Sequence, residues 1–151
     1  MFLGIDVVDR EISIGLVNNS GELSFESTFP IDFEQDLEKL ALDLIYVIKS
    51  ISETIPLELF NERLLGTGIC IRNTSDKNSV ISKLGNGPLQ EIIQQYFDIP
   101  IFVESFEAAK DLAEPEMGSL KGEINKHVII AAALLCKDKI KNSSAAVINN
   151  D

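Results

Sequence analysis

Residues 2–23 read FLGIDVVDREISIGLVNNSGEL. Two apolar runs flank a polar Asp9-Arg10-Glu11, and Asn18-Asn19-Ser20-Gly21 follows the second run. The β-branched residues of Phe2 to Val8 and Glu11 to Val17 suit a pleated, half-buried surface and predict two strands. In the second, Ile12, Ile14 and Leu16 alternate with Glu11, Ser13 and Gly15, which predicts one buried face. Asn and Gly tolerate positive φ, so 18–21 is a hairpin turn. A third antiparallel strand, Glu22 to Phe29, places Leu23, Phe25 and Ser27 on one face, and Pro30 ends it. The chain therefore opens as a three-stranded antiparallel meander. In many folds that begin this way the first loop cradles a nucleotide phosphate. Here that loop has no glycine and two acids.

Beyond the meander the pattern changes period. Asp32 caps a segment from Phe33 to about Glu53, in which Leu37, Leu40, Leu44, Ile48 and Ile51 recur at helical spacing. Ala41, Ile45 and Val47 widen the stripe, as for a helix on a sheet, and Pro56 stops it. Arg63 to Ile71, RLLGTGICI, is apolar on both faces, as in a central parallel strand. Arg72 to Asn86 is a polar loop with a possible short strand at Ser79 to Ile81. Pro88 to Phe97 is a second helix, Pro100 to Val103 a fifth strand, and Ser105 to Ala113 a third helix begun by a Ser cap. Met117 to Lys126 is a connector. His127 to Asn150 reads equally as a helix through its alanines and leucines or as two strands through its β-branched opening. The order β-β-β-α-β-α-β-α predicts an α/β domain with a mixed five-stranded sheet, three strands antiparallel and then two parallel, with flanking helices.

The bulk properties narrow the function. A chain of 151 residues fits one domain. Its net charge of −11 repels nucleic acid and anionic membrane surfaces, so neither is expected as a direct partner. Polyanionic ATP meets the same unfavourable mean field. Cys70 and Cys136 sit in apolar runs and read as buried thiols of a cytoplasmic protein. The start lacks a signal-peptide pattern, and no apolar run reaches the ~18 residues of a bilayer span.

Four passages together resemble the N-terminal lobe of the ROK family, bacterial sugar kinases and sugar-responsive repressors of the actin-like, ribonuclease H-like fold. Residues 3–23 are similar to the family's first hairpin, which opens LGIDIGGTK and carries a D-x-x-G turn. Residues 64–71, LLGTGICI, match the strand that ends in G-V-P-G. Residues 87–105, GPLQEIIQQYFDIPIFVES, match P-L-x-x-x-L followed by P-V-x-V-E-N-D, and EAAKDLAE at 107–114 follows as the A-N-A-A-x-x-E helix. The resemblance implies a ROK-like lobe over 1–114, with 115–151 a connector and an apolar segment that packs on the same domain or on a partner.

Carried over residue by residue, the resemblance implies that Asp6 is the first-strand aspartate that organises metal-bound phosphates, here vestigial. The Gly-Gly-Thr-Lys loop that offers backbone N–H groups to phosphate is replaced by Val8, Asp9, Arg10 and Glu11. Val8 blocks close approach, and the two acids repel phosphate. The E-N-D motif, whose aspartate is the general base and whose asparagine binds sugar, reads Glu104-Ser105-Phe106, and phenylalanine accepts no proton. Glu104 and Ser105 are what remains of a substrate site. Gly68-Ile69-Cys70-Ile71 lacks the Pro-Gly hinge. His127 stands alone, and no metal site is expected. A Gly85-Asn86-Gly87 turn before the second helix reads as a loop.

These readings predict a degenerate, non-catalytic single lobe with a regulatory or protein-interaction role. They predict no catalytic residue and no bound cofactor, with ATP and magnesium entering only if the chain is a sugar kinase subunit or fragment that needs a second lobe. A weak sugar sensor is the third possibility. The apolar first half of 127–148 predicts a homodimer through part of that segment.

Overall fold

In the computed structural model, which describes residues 1–8, 11–30, 37–54, 64–71, 87–105 and 124–149, the opening meander is β1 (Phe2–Val8), β2 (Glu11–Val17) and β3 (Leu23–Pro30). β1 pairs antiparallel with β2, and β2 with β3. The turn between β2 and β3 is built as its residue types require. Asn18 Oδ1 accepts from the Ser20 and Glu22 amides at 2.9 Å each. Gly21 takes the left-handed φ of 83° that a side chain would resist. A bulge at Leu16/Val17 shifts the β3 register there, so that Phe25 lies opposite Leu16 and Leu23 opposite Val17.

α1 (Leu37–Thr54) follows, then β4 (Gly66–Ile71), α2 (Gly87–Gln94), β5 (Ile101–Ser105) and α3 (Ile124–Asn149). β4 lies parallel to β1, and β5 parallel to β4, giving the sheet order β3-β2-β1-β4-β5. The mixed five-stranded sheet expected from the sequence is therefore present, antiparallel on one side of β1 and parallel on the other.

One face of the sheet carries Leu3, Ile5, Val7, Ile12, Ile14, Leu16, Ile69, Ile71, Ile101 and Val103. They form one core with Leu40, Leu44, Ile45, Ile48 and Ile51 of α1 and Leu89 and Ile93 of α2. The helical stripe is thus buried on the sheet, as its spacing predicts. At the edge, α2 closes β5. Gln90 Oε1 accepts from the Val103 amide at 2.8 Å, and Gln94 Oε1 from the Ile101 amide at 2.7 Å. Gln94 Nε2 donates to the carbonyls of Phe97 and Ile99 at 3.0 and 2.9 Å. Two side chains one turn apart so occupy backbone groups that an edge strand would otherwise present to water.

The structure corrects several readings. β2 is buried on both faces, with only Glu11 exposed, because α3 covers the side that Ser13 and Gly15 share. Residues 124–149 are one helix, not a pair of strands. β4 begins at Gly66, with Leu64 and Leu65 ahead of it. α2 ends at Gln94, and its last turn is closed by Tyr96 and Phe97 amides donating to the Ile93 and Gln94 carbonyls. The Asp32 cap, the strand near 79–81, the turn residues Gly85 and Asn86, and the helix over 106–113 lie outside the described residues.

α3 sits on the sheet through a row of glycines. Gly15, Gly4 and Gly68 are register partners across β2, β1 and β4. A Cβ on Gly4 would overlap the Ile129 carbonyl oxygen, and one on Gly68 the Ala132 carbonyl oxygen. Glycine in a strand interior permits such a close approach of backbone to backbone. Val128, Ile129, Ala131, Ala132, Ala133 and Cys136 are buried there, so the apolar half of 127–148 is covered by the chain's own sheet.

Candidate functional site

Beside the glycine row lies a polar one. Thr28, Ser13, Asp6, Cys70 and Glu104 are successive register partners across all five strands, on the α3 side of the sheet. The row lies near the carboxyl ends of the parallel strands β1, β4 and β5, where open α/β sheets bind ligands. The hydroxyls of Ser13 and Thr28 are 3.4 Å apart. Asp6 is 1% exposed, flanked in register by Ser13 and Cys70. Two strand spacings, ~10 Å, separate it from Glu104.

The gap between the two acids is apolar. Cys70 packs there with Val128, Ala131 and Ala132 of α3. Glu104 is half-buried and forms an ion pair with Lys139, one α3 residue that the sequence reading did not single out. The Lys139 ammonium also lies over the Phe102 ring, 5.4 Å from its centroid. Nearby, Lys137 Nζ donates to the Asn19 carbonyl at 2.7 Å. These two lysines tie α3 to both sides of the sheet. Two basic side chains just past an apolar helical run were the available signal for such a clamp.

The remaining expected site residues are distributed as follows. Ser105 ends β5 and pairs in register with Ile71, one position on from the Glu104–Cys70 pair. Strand alternation therefore assigns the Glu104 and Ser105 positions to opposite faces, and the side chain of Ser105 is not among those described. Val8 is half-buried at the end of β1, and Glu11 is exposed at the start of β2. Asp9, Arg10 and Phe106 lie outside the described residues, as does the side chain of His127. Among the described residues no three His, Cys, Asp or Glu side chains converge on a point that could hold a metal ion, and no helix is long and apolar enough to cross a membrane. Both cysteines are buried, and neither is in a disulfide. Burial pushes the Cys136 thiol up from 9.0 to about 12, which keeps it protonated and a poor nucleophile.

No family model matches the chain. It is 30% identical over 122 residues to a xylose repressor of Caldicellulosiruptor bescii, covering 77% of this chain and 30% of that protein. Among solved structures, a ROK family transcriptional regulator homologous to the E. coli MLC protein superposes with a TM-score of 0.61 at 20% identity, covering 76% of this chain and 30% of that one. A ROK family glucokinase from Streptomyces griseus, in complex with glucose and AMPPNP, superposes with a TM-score of 0.57 at 18% identity, covering 78% and 37%. The chain thus spans about a third of the length of each of these three proteins. With the strand order above, these likenesses place it in the actin-like, ribonuclease H-like fold class.

Proposed function

We propose that this chain carries a ROK-like lobe and that it is a degenerate, non-catalytic ROK-like domain with a regulatory or protein-interaction role. One observation carries the reading. The polar row where a ligand would lie is engaged by the chain itself. Lys139 holds Glu104, Asp6 is buried, and Cys70, Val128, Ala131 and Ala132 fill the space between. The sequence at the flanking positions agrees. Asp9 and Glu11 oppose phosphate where glycines would bind it, and Phe106 stands at the position of the base. The net charge of −11 favours a protein partner over nucleic acid, and two buried cysteines outside any disulfide suit the cytoplasm.

The test is a magnesium-dependent assay of ATP hydrolysis and of phosphorylation of glucose and xylose, with thermal shifts in ATP, ADP and each sugar. The expected result is no turnover and no shift, since a ligand that binds the native state would raise the melting temperature by mass action. Turnover abolished by Asp6→Asn would overturn the reading. A second reading, a sugar kinase subunit or fragment using ATP and magnesium, draws on the partial coverage of the relatives. A reading frame that continues with a G-T-G-x-G motif would favour it. A sugar-induced shift lost in Glu104→Gln, without turnover, would instead point to a weak sensor.

A further inference from the structure

α1 has a second stripe, opposite to the one it buries. Lys39, Leu42, Tyr46, Lys49 and Glu53 recur at alternating intervals of three and four, and all five are exposed. Leu42 is 53% and Tyr46 71% exposed, so the middle of the stripe is apolar and wet. Asp43 and Ser50 flank it, half-buried, and Tyr96 borders it with its ring 5.6 Å from the Lys49 ammonium. A 3-4 spacing of this kind is the seam along which two helices pack.

We propose that this face of α1 docks on a second copy of itself, antiparallel, about a twofold axis through Tyr46. The charge pattern selects that occupant and that orientation. An antiparallel pair brings residues equally spaced before and after Tyr46 opposite one another. Asp43 then faces Lys49 of the partner subunit, and Lys39 faces Glu53 of the partner subunit. The symmetry repeats both pairs, while Leu42 and Tyr46 close the centre. Parallel pairing would set Lys39 on Lys39 and Lys49 on Lys49, which repel. Asp43 already accepts from Lys39 of its own helix at 3.2 Å, so it becomes the middle of a ladder of alternating charge. The seam carries both signs within a chain of net charge −11, which lets two acidic copies approach on this face. An interface of this kind is isologous, as closed dimers require. With α1 of 18 residues, ~27 Å long, it falls among small, reversible contacts of below ~1,200 Å². The proposal does not depend on the functional reading above, and it moves the expected self-association from 127–148 to α1.

Sedimentation velocity of the 151-residue chain from about 1 to about 200 µM should show a concentration-dependent monomer–dimer equilibrium. Asp43→Lys puts like charges opposite each other and should weaken the dimer at least about tenfold. Lys49→Asp should do the same. An equimolar mixture of the two variants should recover a heterodimer, because each then carries the sign that the other lacks. Both positions reach solvent, and far-UV circular dichroism checks that each variant is folded. Recovery on mixing is a readout that simple loss of stability cannot produce. A strictly monomeric wild type would overturn the proposal. So would single variants that associate as the wild type does, or a mixture that stays monomeric.

Discussion

The hydroxyl of Thr67 shows how little slack the sheet has. Thr67 is 0% exposed, and its Oγ1 has no hydrogen-bond partner among the described residues. It sits in the row of Leu3 and Ile101, on the face that α1 and α2 cover. A buried unpaired hydroxyl costs roughly 1–3 kcal/mol, and valine fits the same strand. Thr67→Val should therefore raise stability by about 1 kcal/mol, read as an increased urea midpoint at constant m-value. Cys136 gives the opposite kind of signal, visible only in alkali. Its thiol titrates near 12 in the folded chain against 9.0 for an exposed one. Above about pH 9 the unfolded chain releases a proton that the folded chain keeps, so stability falls as pH rises through that window and is unaffected below it. The slope contributed is at most ~1.4 kcal/mol per pH unit. Urea melts of wild type and Cys136→Ala should diverge less at about pH 10 than at about pH 8, because the variant has no thiol to lose.

At the scale of elements, legibility followed periodicity. The meander and α1 were readable because each has one dominant spacing, two for the strands and three to four for the helix. The β2–β3 turn was readable because Asn18 and Gly21 do what few other residues do there. α3 was not readable from its own residues. Val128, Ile129 and Ile130 are strand-favouring side chains, and the alanines and Cys136 buried beside Val128 and Ile129 are small enough to fit either structure. The deciding signal lay elsewhere, in Gly4, Gly15 and Gly68, which share a register that appears only once the strands are paired. The α2 edge device was hidden for a similar reason. Gln90 and Gln94 are polar side chains on a short helix, with nothing local to say what they bond, yet they hold the Val103 and Ile101 amides. Gln94→Leu leaves the Ile101 amide and the Phe97 and Ile99 carbonyls without that side chain. The expected cost is about 2 kcal/mol, measured by chemical denaturation, with faster hydrogen exchange at Ile101 than at Val103. An unchanged midpoint would mean that water replaces the glutamine without loss.

The whole molecule turns on how α3 meets the sheet. The candidate site was legible only in part. Asp6 and Glu104 stood out through the resemblance, but their common row and the Lys139 clamp are long-range consequences of α3 lying across β1, β2 and β4, which no local spacing encodes. If α3 closes that row, then a single methyl under the helix should open it. Gly68 faces the Ala132 carbonyl and the Cys136 Cβ, so Gly68→Ala cannot be absorbed by rotating a side chain; the helix backbone must lift or the strand must bend. Overpacking of this kind costs roughly 1–3 kcal/mol or more. Cys136 reports the result directly, because its Sγ lies under the same helix and also packs toward Gly66. In a Cys70→Ala background, the wild-type Gly68 chain should react slowly with a thiol reagent at neutral pH. The Gly68→Ala chain should react at least about tenfold faster, as expected for a local opening eased by ~1.4 kcal/mol, while far-UV circular dichroism still reports a folded protein. Equal labelling rates and equal melting temperatures would show that α3 does not rest on the glycine row, and the closed polar row beside it would then lose its support.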